Sequence, residues 1–198
     1  MIEYPPKAEL ENYQSRLPSI KQKGPYWCIP ASIENMLKYF GIHNINQEEL
    51  VLLYCRHFGN DSLVFIQNKK PYTLKIDGMD DARLIESATS MILRHANFGT
   101  FKDAVYASGN FDTSKYELLH ITDIQNEIDY LELLKTSISS QEPVLIASTN
   151  DDGNSHIRVA LAYDTNNIIL YDPAFGRLLE VSTSDIKFNS DMLVLKLK

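Results

Sequence analysis

From Cys28 onward, apolar residues recur at Ile29, Ile33, Met36, Leu37 and Phe40. This is the three-and-four spacing of one helical face, and Gly41 stands where a left-handed cap would close it. A second helix is signalled by Asn46 with Glu49 three residues later and Ile45 before the cap, and it runs through Leu50 to Phe58. Ala82, Leu84, Ile85, Ala88, Met91, Ile92 and Leu93 predict a third helix over 80–96, ended near Asn97-Phe98-Gly99. Thr122 with Gln125 opens a fourth, which carries Ile128, Leu131, Leu134 and Ile138. Between the last two, Phe101 to His120 is rich in Tyr, Phe, Ser, Gly and Asn without a clear period. It is either a substrate-contacting loop or a set of short strands.

After residue 140 the period changes. Short apolar runs at 144–148, 156–163, 168–172, 177–181 and 192–197 read as strands. Turn clusters at Asp151-Asp152-Gly153-Asn154 and Asp164-Thr165-Asn166-Asn167 make the connections short. The five strands predict an antiparallel sheet or half-barrel. Helices first and strands last place the chain in the α+β class. We expect one domain over residues 1–198, with a mainly helical lobe at 1–140 and a β lobe at 141–198.

Composition narrows this picture. A chain of 198 residues can bury one sizeable core, and no Gly/Ser linker divides it. The formal charge of −7, with Lys69-Lys70 as the only adjacent basic pair before the tail, argues against nucleic acid as a partner; such binding needs clustered cations to neutralise phosphates. The start Met1-Ile2-Glu3-Tyr4-Pro5-Pro6 has neither a basic segment nor an apolar one. No apolar run reaches membrane-spanning length. The expectation is a cytoplasmic protein, or one exported without a cleaved signal peptide.

The candidate chemistry lies where the pattern places a helix start. Cys28 sits at or beside the N-terminus of the first helix, where unpaired backbone N–H groups and the helix dipole favour a thiolate. Pro30 fits a first turn, because its missing N–H is not needed there. Gln22, six residues earlier, can loop back and offer its amide beside the Cys28 N–H to a developing oxyanion. The β region supplies the complement. Two antiparallel strands joined by a short turn bring His156, at the start of one, beside Asp172, at the end of the other. The carboxylate would then hold the imidazole in the tautomer that presents its other nitrogen to the thiol. His43, His57, His95 and His120 are rival bases, but none precedes a strand pair with a carboxylate at its end. Cys55 falls inside the second helix and reads as a buried core residue. With His57 it lacks the further ligands a metal would need, so neither a metal nor a cofactor is expected.

In the order Gln, Cys, His, Asp the chain resembles papain-like cysteine peptidases, and more narrowly the bacterial double-glycine leader peptidases and their stand-alone C39-like relatives. The matching residues are Gln22, Cys28, Pro30, Ala31 and Ser32, then Pro143, Val144, His156, Asp172, Pro173 and Ala174. The resemblance implies a nucleophile helix packed on a C-terminal antiparallel sheet, a Cys28-His156-Asp172 triad, an oxyanion hole including Gln22, and a peptide or protein substrate with small residues before the scissile bond. Two positions depart from the group's pattern. Ile29 stands where glycine is usual, and His156 is followed by Ile157-Arg158 in place of an aromatic-valine pair. Arg158 directs its charge either toward the site or to the opposite face. A deamidase or an acyl or aminoacyl transferase would use the same triad, and a catalytically inactive binding module would retain the fold alone.

Overall fold

The computed structural model describes residues 19–58, 62–67, 70–89, 92–93, 96–149, 155–186 and 191–198. Lys69, Met91, His95, the Asp151–Asn154 turn and the first residues read for a leader lie outside these.

Helices α1 (Cys28–Tyr39) and α2 (Gln47–Phe58) form where the apolar period places them. The side chain of Asn46 accepts from Glu49 N at 2.9 Å, so the expected cap of α2 is made. A hairpin of β1 (Ser62–Gln67) and β2 (Lys70–Lys75) follows, then α3 (Asp81–Thr89). The helix expected over 80–96 therefore ends early. Ile92–Leu93 instead forms a short strand β3 that pairs with β1. Asn97, read as part of a stop signal, is a start. Its side chain accepts from Thr100 N at 2.9 Å while Thr100 Oγ1 accepts from Asn97 N at 3.0 Å, a capping box that opens α4 (Phe98–Ala107).

The stretch 101–120 thus continues α4 and ends in a strand, β4 (Tyr116–Ile121). Helix α5 (Glu127–Ser139) starts later than Thr122 suggested. Asp123 has a left-handed φ of 60°, so no helix runs through it, and Asn126 caps α5 by accepting from Asp129 N at 3.0 Å. The remaining strands are β5 (Val144–Thr149), β6 (Ser155–Tyr163), β7 (Asn167–Asp172), β8 (Arg177–Ser182) and β9 (Met192–Leu197).

The main sheet has six antiparallel strands in the order β4-β9-β5-β6-β7-β8, one more than the five expected. The sixth is β4. Strand alternation divides the sheet between two cores. Leu145, Val159, Leu161, Leu193 and Leu195 pack with Ile33, Met36, Leu50 and Phe101 of the helical layer. Val144, Ile146, Ala160, Leu170 and Val194 pack with Tyr130, Leu134 and Ile138 of α5 on the other face. Burial on both faces explains why 144–147 is a continuous apolar run rather than an alternating one.

The register fixes which chain ends meet. Ser148 of β5 lies opposite His156, Met192 opens β9 opposite Ile146 and Ile121, and Asp172 closes β7. The ends of β4, β5 and β7 and the starts of β6 and β9 therefore share one rim of the sheet. Among the described residues, no helix is long and apolar enough to cross a membrane.

Candidate active site

Cys28 is the first residue of α1. No side chain caps this helix start, so the first-turn N–H groups keep the outward direction that helix geometry gives them. Trp27, 1 % exposed, anchors the turn by donating its indole N–H to Ala88 O at 3.2 Å. Four residues into the helix, Ser32 donates to Ile157 O at 3.3 Å, which ties α1 to β6 one residue from His156. Ile29 is half-buried and packs against the helical core. Both cysteines are free. Cys28 is half-buried and Cys55 is buried, and burial pushes the Cys55 thiol up to about 12 against an opposing pull from Arg56.

His156 and Asp172 meet as the strand order predicted. The His156 Nε2 lies 2.8 Å from Asp172 Oδ1, and the Cys28 side chain acts on the ring strongly enough to favour its charged form. With Nε2 taken by the carboxylate, Nδ1 is the nitrogen left for sulfur. Asp172 is fully buried, and its oxygens are satisfied from three sides. Oδ1 also accepts from Ala174 N at 2.8 Å, and Oδ2 accepts from Arg158 Nε at 2.7 Å.

Burial alone would favour the neutral ring of His156, but the hydrogen bond to Asp172 and the pull of Asp172 and Cys28 on the charged ring outweigh it. The His156 pKa is pushed up to about 9. Burial likewise disfavours the Asp172 carboxylate. The bonds from His156 and Arg158, the positive ring and the Ala174 N–H together hold it at about 2.

Arg158 is the residue whose role the sequence left undecided. It points at the site and holds the second oxygen of the carboxylate that holds the histidine. The signal was its spacing: His156 and Arg158 are two apart on one strand, so their side chains can share a neighbour across the pair.

Gln22 comes close to this constellation by its backbone. Its N–H donates to Pro173 O at 2.9 Å, and Ser19 Oγ donates to Gly176 O at 2.8 Å, so the strap 19–25 runs along the turn after Asp172. The Gln22 amide itself is engaged within the strap, with Nε2 donating to Gly24 O and Pro25 O at 3.0 Å each. Oε1 is buried without a hydrogen-bond partner among the described residues. Gly24 allows the strap to pass this close to the helices, since a Cβ there would lie 2.7 Å from Thr89 O. Among the rival histidines, His120 does have a carboxylate after all, with Nε2 3.2 Å from Asp191 Oδ2.

With this arrangement described, the comparison with known proteins is direct. Residues 12–187 match the model of the Peptidase_C39-like family. The chain belongs to that family. Its fold is shared with a crystal structure of a candidate C39-like peptidase from Bacillus anthracis, at a TM-score of 0.56 and 14 % identity, covering 93 % of this chain and 96 % of that one. A search of curated proteins finds no match. Membership supports a papain-like cysteine peptidase at the level of the family, and the fold agrees, with a helical N-terminal part set against a six-stranded antiparallel sheet.

Proposed function

We propose that this C39-like protein cleaves peptide bonds through a Cys28-His156-Asp172 triad and a thioester intermediate. The observation that carries the reading is a histidine held at 2.8 Å by a buried, fully satisfied carboxylate and electrostatically coupled to a thiol at a helix start. The Cys28 thiolate attacks the scissile carbonyl carbon and a C–S bond forms. The Cys28 N–H and the Gln22 amide stabilise the oxyanion, Gln22 exchanging one of its strap carbonyls for the substrate oxygen. His156 holds its proton near neutral pH, so it acts first as the acid that protonates the leaving amine. It then takes a proton from the water that hydrolyses the thioester, and Asp172 keeps the ring oriented throughout.

Incubating a proteome-derived peptide library with wild type and Cys28→Ala, followed by mass spectrometry, tests this reading. Fragments that appear only with wild type are expected. A gain of about one dalton on intact peptides would assign a deamidase, since a hydroxyl from water replaces the side-chain amide NH2, lost as ammonia, through the same thioester, and an adduct would assign a transferase. Identical spectra for the two proteins would leave only a binding module.

A further inference from the structure

The two peptide groups that flank Gln22 are held by a buried side chain outside the triad. Gln47, the first residue of α2, is 1 % exposed. Its Oε1 accepts from Lys23 N at 2.8 Å and its Nε2 donates to Lys21 O at 3.0 Å. These are the peptide groups on either side of Gln22, gripped as a neighbouring strand would grip them. Nε2 also donates to Glu34 Oε2 at 3.1 Å, and the same oxygen accepts from Gln47 N at 3.2 Å. Glu34 lies on α1, six residues after Cys28, and its other oxygen accepts from Lys38 Nζ at 2.7 Å. A continuous polar path therefore runs from the nucleophile helix through Glu34 and Gln47 to both sides of Gln22. Asn35 of the same helix and Tyr171 of β7 add a grip on the preceding peptide group, donating to Ile20 O at 3.1 and 2.9 Å.

Packing alone does not ask for such a residue. Burying an amide is unfavourable unless every polar atom is paired, and an apolar side chain of the same length would fill the space without fixing the register of the strap. The bonds of Gln47 set where residues 21–23 lie along α1. We propose that Gln47 is the positioning residue of the oxyanion site, holding Gln22 in register with the Cys28 N–H; this rests on the reading of Gln22 as an oxyanion donor.

The test uses Gln47→Met, which keeps the length and removes the hydrogen bonds, together with Gln22→Ala and the double variant. On a peptide cleaved by wild type, Gln47→Met is expected to lower kcat by roughly 10- to 100-fold, less than the roughly 10²- to 10³-fold cost of removing an oxyanion donor outright, with KM nearly unchanged. The double variant should be no slower than Gln22→Ala, because Gln47 acts through Gln22. Alkylation of Cys28 by iodoacetamide forms no oxyanion and should keep its rate in all three. Multiplying effects in the double variant, or full kcat in Gln22→Ala, would overturn the assignment.

Backbone hydrogen exchange decides independently of turnover. Exchange at residues 20–24 should quicken in Gln47→Met while α1 stays protected. Unchanged exchange would overturn the clamp. Quickened exchange in a protein whose wild type cleaves nothing would support the clamp and sink the peptidase reading.

Discussion

Two histidine–aspartate pairs stand on the same rim of the same sheet, and they differ in the features on which the proposed triad rests. His156–Asp172 joins β6 to β7 at 2.8 Å, and His120–Asp191 joins β4 to the start of β9 at 3.2 Å. The carboxylate of the first is fully buried, whereas the side chain of Asp191 is 28 % exposed. Asp172 also accepts from Arg158 and Ala174, which keeps it charged inside the protein. The largest difference is at the other ring nitrogen. In His156 it is the atom left for the Cys28 thiol, whereas His120 Nδ1 faces Gly99, 3.3 Å from where a Cβ on that glycine would lie. Pairing with an aspartate is thus common to both. A thiol partner and a buried, saturated carboxylate belong to one.

The largest expected effect breaks the first pair. Asp172→Asn should lower kcat roughly 10³- to 10⁴-fold on a peptide substrate, because the ring loses both its tautomer and its counter-charge. The pH profile sharpens this result. With the His156 pKa raised to about 9, the acid form that protonates the leaving group is present below that value and lost above it, so wild-type kcat/KM should fall through an alkaline limb near pH 9. In Asp172→Asn that limb should move down toward the ordinary histidine value of 6.5. A limb that stays in place would disconnect Asp172 from His156.

A smaller effect belongs to Arg158. Arg158→Met leaves Asp172 Oδ2 buried without its ion pair, which should destabilise the fold by about 3 kcal/mol, as removing one partner of a buried pair does. Linkage gives the pH window. Since Asp172 is held at about 2, below its ordinary 3.8, its contribution to stability is present above pH 3.8 and lost as pH falls through about 2. Urea unfolding at pH 7 and at pH 2.5 should therefore show the gap between wild type and Arg158→Met narrowing in acid. An equal gap at both would mean the guanidinium contributes through packing instead.

How far the sequence revealed all this depended on whether a feature was local or made at a distance. α1, α2 and the strands from β5 to β9 announce themselves by period, because each buries an apolar face that repeats. The helix over 80–96 misread Asn97, since an asparagine that ends one pattern equally caps the next, and only the partner of Ile92 and Leu93 across β1 decided against helix. β4 was hidden in an aromatic stretch: it pairs with β9, and its side chains divide between the two cores, Tyr116 and Leu118 on one face and Leu119 and Ile121 on the other, contacts that no local pattern encodes. At the candidate site, the meeting of His156 and Asp172 was legible because a strand pair joined by a short turn implies it. Arg158 was visible as a charge but not as a ligand of Asp172. Gln47 was invisible in this respect, because the peptide groups it holds lie 24 and 26 residues away and leave no spacing to read.

The smallest expected effect tests the second pair. His120→Gln keeps a hydrogen-bonding group toward Asp191 and should change kcat on any cleaved peptide by less than about threefold, within the ordinary scatter of a substitution away from the chemistry. Its stability loss should be about 1 kcal/mol, the net worth of a single hydrogen bond. That loss should appear as earlier fraying of α4, because the His120 ring packs edge-on against Phe98 at 6.2 Å at the helix start. Amide exchange in 98–102 reports it directly. A kcat loss comparable with that of Asp172→Asn would make His120 part of the machinery. The lesson of the two pairs would then have to be replaced, since a half-buried aspartate and a ring closed off by Gly99 would be sufficient for catalysis.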